Sequence, residues 1–133
     1  MTLARLDLAE AQGVTDTRER LRLAPAQRDA VHAEMRTMLQ SLNRIIHGLA
    51  ASDLVMVEEA ARASGPGAAL KPELEQTLPP HFQQLGRKVH QRFDQLADAV
   101  KAHASRDDVM KRLAALTSYC VTCHDTYRLD EAK

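Results

Sequence analysis

The stretch Arg106–Asp130, RDDVMKRLAALTSYCVTCHDTYRLD, places apolar or sulfur-bearing side chains at Val109, Leu113, Leu116, Cys120, Cys123 and Tyr127. Steps of three and four put these side chains on one stripe of a helix, and such a stripe needs a partner to bury it. The same stepping recurs upstream, at Val31, Met35, Met38, Leu42, Ile45 and Leu49. Phe82, Leu85, Val89, Leu96 and Val100 keep a similar seam, with Phe93 filling its gap.

Punctuation agrees with the phase. Pro25 suits the first turn of a helix, where its missing N–H has no partner to lose, and that helix should end near Gly48 to Ala51. Ser52 or Asp53 is placed to cap a second helix running to about Ser64, and Gly65-Pro66-Gly67 stops it. Residues 68–80 hold Pro72 and Pro79-Pro80 and read as a long connection with room for one helical turn. A third helix is expected over 81–103, and a fourth, capped by Ser105, over 106–130. These elements predict an all-α fold, an antiparallel four-helix bundle over residues 23–133. Residues 1–22 read as an N-terminal extension. Leu3, Leu6 and Leu8 could start a short helix there, while Arg20–Leu23 alternates like a strand.

The composition of the 133 residues fits helices. Two Phe, two Tyr and no Trp leave packing to Leu, Ala, Val, Ile and Met, and the helix formers Ala, Leu, Glu, Arg and Gln are abundant. Eighteen basic and eighteen acidic residues give a net charge of zero, which lacks the electrostatic footprint of a nucleic-acid binder. No apolar run approaches the roughly 20 residues of a membrane span. Residues 1–10, MTLARLDLAE, have no leader-like apolar core.

Cys120-Val121-Thr122-Cys123-His124 is the C-x-x-C-H arrangement of covalent haem attachment. Two thiols three residues apart share a helix face and can add across the two vinyl groups on one porphyrin edge. The adjacent His124 then turns its imidazole to the iron. Two cysteines and six histidines scattered over this length meet the pattern by chance on the order of 7 times in 10,000. Three rivals fit less well. A thioredoxin-like dithiol wants a strand before the motif and a helix opening at it. A zinc site wants further ligands at suitable spacing, and no other His pairs obviously with the motif. A disulfide three residues apart on one helix constrains nothing. A haem on the seam would enter the interior, replacing Phe and Trp as core material.

Cys120–Arg128, CVTCHDTYR, near the end of the last of four helices, resembles the class II c-type cytochromes, that is, cytochrome c prime and its low-spin relatives. The resemblance covers about residues 24–132. Beyond the motif it rests on Asp125, Tyr127 and Arg128, the helical pattern, and Leu78-Pro79 leading into Phe82. It implies one haem c on Cys120 and Cys123, with His124 as proximal ligand and Arg128, one turn on, near that imidazole or a propionate. It also implies a bacterial periplasmic location, with the export leader absent from the chain as given, redox partner proteins, and a bundle that can dimerise through its first two helices.

The sixth coordination site divides this family. High-spin members leave it open and bind gases such as nitric oxide or carbon monoxide; low-spin members fill it with a first-helix Met and carry electrons. If the first and fourth helices run antiparallel, Cys123 lies ~10 Å before the end of one and Met35 ~15 Å into the other, with Met38 nearly 20 Å in. Met35 is therefore the expected ligand, and the family pattern also picks the first of the two. Met38, no protein ligand, and His32, about 60° off the phase of Met35, stand as alternatives. The expected function is single-electron transfer by a monohaem cytochrome without enzymatic activity; the alternative is a five-coordinate gas binder. His47, His81, His90 and His103 read as surface or boundary residues, with His90 able to approach a propionate. Arg28, Arg36, Arg87 and Arg92 read as mostly solvated helix charges.

Overall fold

A computed structural model describes residues 13–131, and the chain there is mostly helical. A strand β1 (Glu19–Leu23) precedes α1 (Pro25–Ala50) and α2 (Leu54–Arg62). A 3-10 turn (Pro66–Ala68) and the single turn α3 (Pro72–Glu75) lead to α4 (Pro80–Lys101), α5 (Arg106–Thr126) and a second strand, β2 (Tyr127–Glu131). The helical turn expected around Leu3, Leu6 and Leu8 lies outside the described residues.

Local chemistry sets the helix starts. Pro25 and Pro80 occupy first-turn positions, where no N–H is missed. Asp53, not Ser52, caps α2 by accepting the Met56 N–H at 3.0 Å, while Ser52 takes a left-handed conformation (φ 54°) in the turn before it. Ser105 caps α5 by accepting the Asp108 N–H at 3.1 Å.

The last helix is shorter than its seam predicts. It ends at Thr126 rather than near residue 130, and Tyr127 turns extended (φ −123°, ψ 148°). Residues 127–131 then pair in parallel with β1, Tyr127 opposite Glu19 and Leu129 opposite Leu21. Burial explains the switch: Leu21, Leu23 and Tyr127 fall on one face and join Val31, Leu78, Phe82 and Leu85 in an apolar cluster. The strand-like alternation of Arg20–Leu23 is thus a strand, and the expected boundary between residues 22 and 23 falls inside it.

Four long helices pack in series, α1 on α2, α2 on α4 and α4 on α5. At Gly48 the first contact is so close that an added Cβ would lie 2.7 Å from Val57 Cγ2 and 2.9 Å from the Asp53 carbonyl oxygen. Arg62 of α2 binds the Asp94 carboxylate at 2.8 Å and that of Asp98, both on α4. A second apolar cluster runs through these contacts, with Ile45, Val57, Phe93, Leu96 and Leu116 removed from solvent. The α1 and α5 ends alternate in direction. Arg106 at the start of α5 donates to the Leu49 carbonyl near the end of α1 at 2.9 Å, while Val31 and Tyr127 belong to one apolar cluster at the opposite end. Between those ends the backbones of α1 and α5 make few close approaches. Among the described residues, no helix is long and apolar enough to cross a membrane.

Candidate functional site

The gap between α1 and α5 is a cleft of about 290 Å³. Its α1 wall carries Met35, Met38, Leu39 and Leu42; α5 supplies Tyr119, Cys120, Cys123 and His124. Phe82, Leu85 and Val89 of α4 form the floor, and Leu70 from the long connection closes one side. An apolar cleft with a few reactive groups on one wall is the usual form of a small-molecule site, and its volume is near the lower end of the roughly 300–1,000 Å³ such sites span.

Helix geometry brings the motif to this wall. Cys120 and Cys123 are half-buried and free of disulfide, and His124 is exposed at the cleft edge. Burial pushes the Cys120 thiol above its ordinary range. Burial also pushes Cys123 up to about 11, helped by the neighbouring Cys120 and by the negative charge of Glu34. Both shifts run away from the thiolate that an active dithiol uses. Among the described residues, no three His, Cys, Asp or Glu side chains converge to hold a metal ion. Two thiols, one imidazole and two thioethers line the same apolar slot without closing on a single point, a spread that suits a broad ring cofactor better than a bare ion.

The candidates for the distal side separate. Met35 is half-buried and packs against both apolar clusters, one of which also receives Cys123. Met38 is buried within the other cluster, against which Cys120 packs. His32 is exposed and is not among the residues lining the cleft.

Arg128 takes a different place from the one expected of it. Because α5 stops at Thr126, Arg128 is a strand residue and not one helical turn beyond His124. It does not line the cleft, and its Nη1 lies 3.5 Å from Asp16 Oδ2. Arg36 and Arg87 do line the cleft, Arg87 held by Glu75 at 3.0 Å.

His90, read from the sequence as a surface or boundary residue, is buried. It is 2% exposed; its Nδ1 donates to the Ser64 carbonyl at 2.8 Å, and its Nε2 meets the Glu34 carboxylate. Burial works to lower its pKa, but Glu34 and the Ser64 carbonyl outweigh it and raise the imidazole above its ordinary value. Glu34 and His90 both line the cleft. Glu34 was not legible as a site residue, yet Val31, Glu34, Met38, Ser41 and Ile45 step by three and four. A polar residue at that phase, repeated at Ser41, is the signal of a buried polar contact. Ser41 indeed bonds Ser64 at 2.6 Å, completing a buried chain from Ser41 through Ser64 and His90 to Glu34.

No protein-family model, curated protein or solved structure matches the chain.

Proposed function

We propose that this chain is a monohaem cytochrome of the class II c type, an antiparallel four-helix bundle that carries single electrons in the bacterial periplasm. One observation carries the proposal: the C-x-x-C-H motif of α5 and the methionines of α1 line one apolar cleft between those two helices, whose backbones make few close approaches. Cys120 and Cys123 would hold the haem c by thioether bonds, and His124 would be its proximal ligand. Met35 is the preferred sixth ligand, since it alone of the two methionines packs on the cluster that receives Cys123. Bound there, the haem would supply a one-electron iron couple, and a thioether ligand raises its potential by favouring the ferrous state.

The chain's own residues do the rest. Leu42, Phe82, Leu85 and Val89 give the slot apolar walls, which would limit rearrangement around an electron carrier seated there. His124 and Met35, fixed on two helices, would stay in place in both oxidation states. Electron transfer needs no general base or nucleophile, and redox partner proteins are the expected partners. Arg128, paired with Asp16 and outside the cleft, would not contact the haem.

A visible and near-infrared spectrum tests the proposal. A covalent low-spin haem with a weak sulfur-to-iron band is expected, and Met35→Ala should turn it high-spin. If only Met38→Ala does so, Met38 is the ligand. A wild-type spectrum that is high-spin and shifts with carbon monoxide moves the protein to the gas-binding branch, and absence of any covalent haem band overturns both.

A further inference from the structure

The C-terminal end of α5 is gripped by a side chain from outside the helices. In a continuing helix the His124 carbonyl would accept the N–H of residue 128, but Arg128 has left for β2, so that carbonyl is an orphan helix-end acceptor. Arg18 takes its place: one nitrogen, Nη1, donates to the carbonyl oxygens of His124 at 3.1 Å and of Tyr127 at 3.3 Å. A cation there also complements the negative end of the helix dipole.

Arg18 is itself held on its far edge. Its Nε reaches Asp16 Oδ1 at 3.0 Å and its Nη2 reaches Asp16 Oδ2 at 2.8 Å, while its backbone N–H donates to the same carboxylate at 3.1 Å. The fork of the guanidinium is thus bidentate on one side and bridging on the other, a geometry Lys does not reproduce. Next in the chain, β1 pairs with β2 and buries Leu21 and Leu23, so residue 18 is fixed relative to the end of α5.

We propose that Arg18 is a positioning residue for His124, the working end of a clasp formed by residues 16–23. It rests on the haem function proposed above. Bonds to the 124 and 127 carbonyls fix the peptide that follows His124 and the exit of the chain from the helix. They therefore fix the direction from which the imidazole leaves the backbone. Cys120 and Cys123 anchor one edge of the ring plane, and Arg18 sets the orientation of the imidazole against it.

The orientation of an axial imidazole is read from the hyperfine-shifted haem methyl resonances of the ferric holo-protein, recorded well below its melting temperature. Arg18→Ala is expected to change their order and spread. Asp16→Asn, which loosens the guanidinium without removing it, should move them the same way by less. Arg22→Ala, exposed on β1 and in register with Asp130 rather than with residues 124–127, should leave them unchanged while testing for nonspecific loss of the strand. Arg18→Ala spectra that superimpose on wild type overturn the clasp alone. A wild-type protein with no covalent haem overturns the function and the clasp together, so the two failures are distinguishable.

Discussion

The two halves of the helical packing are built to different tolerances. In the half around Ile45, Val57, Phe93 and Leu96 these side chains are fully buried, and α1 approaches α2 closely enough that only Gly fits at position 48. In the half around Met35, Phe82 and Leu85, α1 and α5 stand apart and apolar side chains line an open cleft. Gly86 lies on that cleft, and an added Cβ there would meet nothing within 4 Å. Interiors pack at crystal-like density, so the apolar surface beside so tight a core is what the proposed haem would cover.

The comparison breaks most readily at the core. Phe93→Ala should lower unfolding free energy by about 3–5 kcal/mol, whereas Leu85→Ala, buried in the smaller cluster but lining the cleft on one side, should lose only about 2. Urea unfolding of the two variants measures both, and equal losses would mean the cleft wall is packed like the core. Gly48→Ala should cost about 1–3 kcal/mol through the clash with Val57 and the Asp53 carbonyl. Gly86→Ala, in the same kind of element on the open side, should instead stabilise by about 0.5–1 kcal/mol, from restricting the unfolded chain. The same unfolding experiment reads their opposite signs, and a loss at both positions would remove the contrast.

The smallest effect expected is a pH dependence confined to the cleft wall. His90 is raised above its ordinary value of about 6.5, so its paired, charged form contributes stability below that pH. That contribution is lost as pH rises through the raised folded value. The unfolding midpoint of the wild type should therefore fall over that interval, and His90→Gln should flatten the fall. An unchanged slope in the variant would show that the Glu34 contact carries no pH-linked stability.

Much of the helical framework was legible in the sequence, because amphipathic seams and caps are local. The seams of α1, α4 and α5, the Pro25 start and the Ser105 cap could be placed from spacing alone, whereas Pro80, read as part of the connection, opens α4. What could not be placed were the contacts made between distant segments. Tyr127 continues the α5 seam perfectly in phase, yet parallel pairing with β1 draws it out of the helix and its hydroxyl meets His81 Nδ1 at 2.9 Å. That same departure carried Arg128 away from the cleft and left the His124 carbonyl for Arg18. His90 looked like a boundary residue because nothing near it in sequence announces Glu34 or Ser64.

The sequence by itself determined a mostly helical chain and a C-x-x-C-H motif on one face of its last helix, since both follow from periods of three and four. Only the tertiary structure decided that α1 and α5 stand apart around an apolar cleft, that Met35 and the motif share it, and that the N-terminal strand ends the last helix early. Those features depend on which faces meet and which burial wins, and pairing across about a hundred residues of chain leaves no mark within either segment.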